Sequence, residues 1–216
     1  MKSLTTLALA IAALSTQQVS ANDWIVRAGV TSVQPNTSSS FIAIDGTATD
    51  SKVDIGSNTQ LGLTATYLVD DNWGIELLAA TPFTHKIKAK GGALNGAGVG
   101  ETQHLPPTLS AVYYFTNGDL RPYVGLGLNY TTFFSEDVDA DLEGILGASK
   151  LTLKDSWGLA AQIGVDYNLN DRWQLNASMR YIDINTDAKI TNGTNVVTAD
   201  VDIDPYVYSL MVGYKF

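Results

Sequence analysis

The stretch Trp157-Gly158-Leu159-Ala160-Ala161-Gln162-Ile163-Gly164-Val165-Asp166-Tyr167-Asn168-Leu169 decides the fold. Trp157, Leu159, Ala161, Ile163, Val165, Tyr167 and Leu169 form one apolar, uncharged row, and Gly158, Ala160, Gln162, Gly164 and Asp166 form the other. Side chains that alternate with period two lie on opposite faces of a β-strand. A long oily face backed by a small, polar one is what a strand needs when lipid lies on one side and a polar interior on the other.

The same alternation recurs along the chain. Leu61, Leu63, Ala65, Tyr67 and Val69 oppose Gln60, Gly62, Thr64 and Thr66, and Trp173, Leu175, Ala177, Met179 and Tyr181 oppose Gln174, Asn176, Ser178 and Arg180. Eight strands are predicted: Trp24 to Val33, Thr59 to Val69, Trp73 to Phe83, Thr108 to Phe115, Arg121 to Phe133, Trp157 to Leu169, Trp173 to Ile184 and Pro205 to Phe216. The connections alternate strictly. Residues 34 to 58, 84 to 107, 134 to 156 and 185 to 204 are long, whereas Asp70-Asp71-Asn72, Thr116 to Asp119 and Asn170-Asp171-Arg172 are tight polar turns.

An even strand count with long and short connections on opposite ends is the pattern of a transmembrane antiparallel eight-stranded β-barrel, with long extracellular loops, short periplasmic turns and both termini in the periplasm. Aromatic belts are expected at Tyr67, Trp73, Phe115, Tyr167, Trp173, Tyr214 and Phe216 near the periplasmic strand ends. A second belt is expected at Phe83, Tyr130, Trp157, Tyr181 and Tyr206 near the extracellular ends. A soluble β-sandwich is the rival reading, but it would show no such loop alternation.

The N-terminus fits this medium. Lys2, the apolar run Leu4 to Leu14 and the small-residue site Val19-Ser20-Ala21 read as a cleaved signal peptide over residues 1–21, leaving a barrel of residues 22–216. With Lys2 set aside, twelve basic face twenty-two acidic side chains, a formal charge of −10. That balance excludes a nucleic-acid partner, whose phosphates need a basic surface. There is no cysteine, so neither disulfides nor thiolate-held metals stabilise the exported domain.

On the lumen side the alternation places Arg27, Glu76, Arg121, Asp166, Arg180 and Lys215, with Gln60, Asn129, Gln162 and Asn176. Charges sealed in so narrow a barrel must pair, and the interior of eight strands is just wide enough for side chains, so these residues are expected to form a polar plug. Leu78, Ala80, Pro82 and Phe133 are expected to line an apolar cup above it. The residues alone leave open whether that cup is a dry core or a ligand site.

Other motifs fall short of chemistry. The glycines of Gly91 to Gly100 lack the Gly-Lys-Ser/Thr of a phosphate loop and read as a flexible surface loop. Asp137, Asp139 and Asp141, like Asp200, Asp202 and Asp204, alternate as calcium ligands do. An EF-hand, however, would need Gly and Glu where the chain has Leu142 and Ala148, so solvated loop charge is expected, with cation-bridged lipopolysaccharide as the alternative. His85 and His104 are the only histidines and no nucleophile elbow accompanies them, so an outer-membrane enzyme is the distant reading and no metal or cofactor is expected.

The chain resembles the outer membrane protein W (OmpW) family. The segments that carry the resemblance are Asn58 to Leu63, Gly74 to Phe83, His104 to Leu109, Arg121 to Gly125, Asn129 to Phe134 and Leu153 to Gly158. The resemblance implies a cell-outer-membrane barrel that takes up small hydrophobic molecules through an apolar passage and releases them sideways into the lipid. It also implies that the terminal Phe216 is presented to the barrel assembly machinery. Pro82, Pro106 and Pro107 flank the second long connection and cannot complete a ladder, so a lateral window is expected between the third and fourth strands. The alternative is a non-transporting structural or receptor barrel that displays its loops. Outer-membrane lipid and lipopolysaccharide are the expected surroundings, and a closed sheet without edges is expected to be monomeric.

Overall fold

A computed structural model describes residues 24–115, 118–193 and 195–216, so the expected signal peptide lies outside the described residues. The first wall strand, β1 (Trp24–Gln34), leads into four short strands, β2 (Ser38–Ser39), β3 (Ala43–Ile44), β4 (Thr47–Ala48) and β5 (Lys52–Ile55). β6 (Asn58–Leu68) and β7 (Trp73–Ala80) return to the wall, and β8 (Phe83–Lys90) and β9 (Gly98–Leu105) form a hairpin above it. β10 (Thr108–Tyr114) and the long β11 (Leu120–Val138) follow, then helix α1 (Ala140–Leu146) and β12 (Lys150–Leu153). β13 (Ser156–Asn168), β14 (Trp173–Ile182), β15 (Asn185–Thr191), β16 (Val196–Asp202) and β17 (Tyr206–Lys215) complete the chain.

Eight of these strands close on themselves in the order β10-β7-β6-β1-β17-β14-β13-β11, and β11 pairs back to β10. They are the eight expected from the alternation. The rows read as lipid-facing point outward: Leu63 is 47% exposed, Leu159 67%, Ile163 59% and Leu210 69%. Two short turns share one chemistry. Asp70 Oδ1 accepts from the backbone N–H groups of Asn72 and Trp73 at 2.8 and 2.7 Å, and Asn170 Oδ1 does the same for Arg172 and Trp173 at 3.0 and 2.9 Å. Such Asx turns fix the register of the strands they join.

Aromatic pairs mark both rims. Trp24 packs on Tyr67, Trp73 on Tyr113 and Trp173 on Tyr214 at the short-turn end, and Tyr130 packs on Trp157 and Tyr181 on Tyr206 at the other. Phe83 departs from the expected belt, being buried inside at 1% exposure. The physical reason is the break between β7 and β8: Thr81 and Pro82 are both exposed, which shifts the alternation by one residue. The same shift removes Pro82 from the lumen face, where an unbroken strand would have put it.

The long connections are not loose loops. β5, β8, β9 and the upper part of β11 continue the wall in one ladder, and β12-β15-β16-β3-β4 form a second sheet, with β2 also on β16. Between them lies the main hydrophobic core, which includes Ile42, Val53, Ile87, Leu151, Leu153, Ile190, Val197, Val201 and Ile203. Residues 91–100 are likewise ordered differently from a free loop. Gly91, Gly92 and Gly96 take the positive φ angles of the β8–β9 turn, while Gly98 and Gly100 belong to β9. Helix α1, which the sequence reading missed, is capped by Asp139, whose side chain accepts from the N–H of Asp141.

Candidate functional site

The lower lumen is filled by a single charge network. Arg27, on β1 and 1% exposed, grips Asp166 with two bonds, Nε to Oδ1 at 3.1 Å and Nη2 to Oδ2 at 2.6 Å. Its Nη1 reaches Glu76 Oε2 at 3.1 Å and Thr66 Oγ1 at 2.7 Å, and its Nη2 reaches the Tyr114 hydroxyl at 2.9 Å. Arg180 donates to the other oxygen of Glu76 at 2.9 Å and to Gln162 Oε1, while Asn176 donates to Asp166 and to the Tyr123 hydroxyl. Two guanidinium groups thus face two carboxylates, each further hydrogen-bonded, which is the condition under which buried charge is tolerated.

Among the expected plug residues, Arg27, Glu76, Asp166 and Arg180 converge in this way. Arg121 lies against it, its guanidinium 4.4 Å from the centre of the Tyr114 ring and donating to the Asp71 carbonyl at 3.3 Å. Lys215 is half-buried and sits in the lower mouth beside Asp119, Arg121 and Arg172, outside the network. At the last residue of its strand the lumen is already open to solvent, so a lysine there needs no buried partner. Thr66, Tyr114 and Tyr123 were not anticipated in the network, although their strand parity is inward. Gly164 accommodates Tyr123, since a Cβ at Gly164 would collide with its ring.

Above the plug the lining changes from charged to apolar. A chamber of about 50 Å³ lies within the upper core, among Ile42, Val53, Ile87, Phe133, Leu151, Val197 and Ile203. On the measure by which one water needs ~10–15 Å³, this is room for about three to five water-sized groups, the size of a short apolar chain. Of the expected passage residues, Phe133 lines the chamber and Ala80 packs against its core. Leu78 is buried lower, at the level of Thr108 and Asn129, and Pro82 is exposed on the outside. The cup therefore sits one storey higher than alternation alone placed it, because the long connections supply most of its walls.

His85 and His104 stand in the chamber, rings stacked at 4.8 Å between centroids, with Phe83 and Phe133 against them. Both lie above the upper aromatic belt. Burial holds the His104 imidazole down to a pKa of about 3, with the neighbouring His85 adding to the effect. Burial lowers that of His85 too, against the pull of its bond to the Gly56 carbonyl. The unfolded chain therefore binds protons more readily than the folded one between pH about 6.5 and about 3, so folding stability falls as pH falls through that window. For His104 alone the loss reaches about 2 kcal/mol by pH 5. His104→Leu should flatten the pH dependence of urea midpoints in detergent, and an unchanged slope would contradict the assignment.

The wall itself is interrupted beside the chamber. Pairing of β7 with β10 stops at Leu78 opposite Thr108 and resumes only where Phe83 on β8 meets His104 on β9. In the gap, Thr81 N–H bonds backward to the Leu61 carbonyl and the Pro107 carbonyl accepts from Tyr130, so both segments are tied to their outer neighbours. Pro82 is exposed, Pro106 buried and Pro107 half-buried around this opening. None of the three has an N–H with which to close it. The opening is level with Tyr130 of the upper belt.

A closed barrel of eight strands is shared with known proteins. The OmpW family model matches residues 20–216. The chain belongs to the OmpW family. Outer membrane protein W of Vibrio cholerae serotype O1 is 50% identical to it, over 95% of each chain. The crystal structure of the outer membrane protein OprG from Pseudomonas aeruginosa superposes with a TM-score of 0.84 at 45% identity, covering 90% of this chain and 96% of that one. A more distant relative, 27% identical over 89% of this chain and 88% of its own, is the Pseudomonas aeruginosa dibenzothiophene metabolism operon protein PahQ. This OmpW-family barrel is accordingly a protein of the Gram-negative outer membrane, as outer membrane protein W and OprG are by name.

The aspartates of the upper storey have structural partners in part. Asp139 caps α1, and Asp204 accepts from the backbone of Ile184 at 3.1 Å. Among the described residues no group of three or more metal-binding side chains gathers.

Proposed function

We propose that this OmpW-family barrel takes small hydrophobic molecules from outside into the upper chamber and releases them sideways into the outer membrane. In this reading the long connections face outward, and the short turns and both termini face the periplasm. The observation that carries it is the vertical order of the lumen: an apolar chamber, a gap in the wall at its foot, and a charge-paired plug below. An apolar molecule that has entered the chamber meets lipid through the gap, where it is more stable than in water by about 25 cal/mol per Å² of apolar surface. Further descent would require it to displace Arg27, Glu76, Asp166 and Arg180 from one another. A relative named for a dibenzothiophene metabolism operon supports an aromatic, apolar cargo.

Uptake of radiolabelled naphthalene by cells with and without the protein tests the reading, and equal rates would sink it. The route is tested separately. Pro82→Thr restores a donor beside the gap and is expected to slow uptake several-fold while leaving refolding normal. A well-folded variant with the wild-type rate would leave the lateral exit without support.

A further inference from the structure

One outer face of the upper storey is basic, although the chain as a whole is acidic. Lys86, Lys88 and Lys90 stand at every second position of β8 and are exposed, whereas His85, Ile87 and Ala89 between them are buried. Lys52, exposed on β5, is in register with Lys90, so four of the eight lysines that follow Lys2 share one face of two paired strands. Like charges in one row and directly opposite one another destabilise a sheet.

The protein itself neutralises only part of this charge. Lys90 Nζ reaches Asp54 at 3.0 Å, and Lys52 Nζ lies 5.2 Å from the centre of the Phe41 ring. Among the described residues Lys86 and Lys88 have no ion pair. Glu101 is opposite Lys86 in the β8–β9 register, and on its other side it meets Asp137 of β11, so the carboxylates gather on the far flank. Threonine or glutamine would make the face equally polar without the repulsion.

Lys86 and Lys88 border an open groove of about 510 Å³, shared with Asp54, Ser57, Asn58, Thr84 and Glu101. The groove begins where the lipid ends. Tyr206 of the upper aromatic belt pairs with Gln34, and Val33 beside it pairs with Asn58, so Asn58 lies near belt level. Every two residues along a strand tilted by ~40° climb about 5 Å. Lys86 and Lys88 follow Thr84 by two and four residues, which puts them beside the headgroup layer that extends roughly 5–8 Å beyond the hydrocarbon. Their flexible stems span the remaining height.

We propose that this groove holds the phosphorylated headgroup of an outer-leaflet glycolipid, with a phosphate set between Lys86 and Lys88. Lys52 and Lys90 add to the attracting field, and the hydroxyls of Ser57 and Thr84 face the sugar. A zwitterionic headgroup fits less well, because its own ammonium meets the lysines. The inference rests on the outward facing of the long connections, and not on cargo uptake.

The test titrates the refolded full barrel in detergent with bisphosphorylated lipid A and follows the bound lipid by native mass spectrometry. Lys86→Gln combined with Lys88→Gln should weaken binding about five- to thirtyfold, and the corresponding pair of Arg substitutions should keep it. Both lysines are exposed and unpaired, so these variants are expected to fold. Lys150→Gln with Lys154→Gln, on the other sheet, should change nothing, and lipid A stripped of its phosphates should bind the wild type no better than the Gln pair binds the intact lipid. Equal affinity of wild type and the Gln pair, or of the two lipids, overturns the proposal. Displacement by millimolar inorganic phosphate would make this a site for soluble anions and overturn the lipid assignment. Ala93→Cys, exposed in the β8–β9 turn of a chain with no other cysteine, should react with a membrane-impermeant maleimide on intact cells. Failure to react would remove the outward facing on which both readings rest, whereas labelling together with equal affinities removes the lipid site alone.

Discussion

Arg27→Met should cost the barrel about 3–5 kcal/mol, the range for removing one partner of a buried charge network. Arg27 supplies five hydrogen bonds across the lumen, to Asp166, Glu76, Thr66 and Tyr114. Without it, Asp166 keeps Asn176 but loses its cation, and Glu76 keeps Arg180. The stranded group is thus Asp166, at 0% exposure. Adding Asp166→Asn to Arg27→Met should recover part of the loss by removing that charge. Urea titration of refolding into phospholipid vesicles measures both. The same network predicts that wild-type protein in a planar bilayer passes at most small, infrequent currents, and a steady large conductance would show that the lumen is not sealed.

Leu63→Arg, Ala161→Arg and Leu210→Arg should each cost about 2–4 kcal/mol, because each position lies on the lipid face midway between the two aromatic belts. Leu63 and Leu210 are 47% and 69% exposed on the outer surface. Replacing the same leucines by Ala should cost far less, since no packed core is opened on that side. Equal losses for Arg and Ala variants in the vesicle titration would contradict the placement of lipid. Lumen positions give no mild control for a cation. Gln162→Arg would set a third guanidinium beside Arg180 and remove the amide that donates to Glu76.

The barrel was legible because a strand with lipid on one side and side chains on the other must alternate at every residue, and that constraint is local. Trp157 to Leu169 shows it without reference to any other segment. Turn chemistry is equally local, as Asp70 and Asn170 each bond two residues and three residues on. The plug was half legible. Parity told which charges face inward, but which of them meet depends on stagger between strands far apart in sequence, as with Arg27 and Asp166. Lys215 has the right parity and the wrong height.

The sequence by itself determined the eight strands, their facing and the need for inward charges to pair, because each follows from the period of an extended chain and the cost of burying charge. Only the tertiary structure decided where the apolar chamber lies. Its walls come from Ile42, Val53, Ile87, Leu151, Val197 and Ile203, drawn from connections whose alternation over Phe83–Lys90 and Val196–Asp202 tells which side is apolar but not that two sheets pack those sides on one another. The same holds for Pro82 and Phe83. A two-residue break in the ladder reverses which of them faces inward, and a break of pairing is a property of two strands together that neither strand's sequence contains.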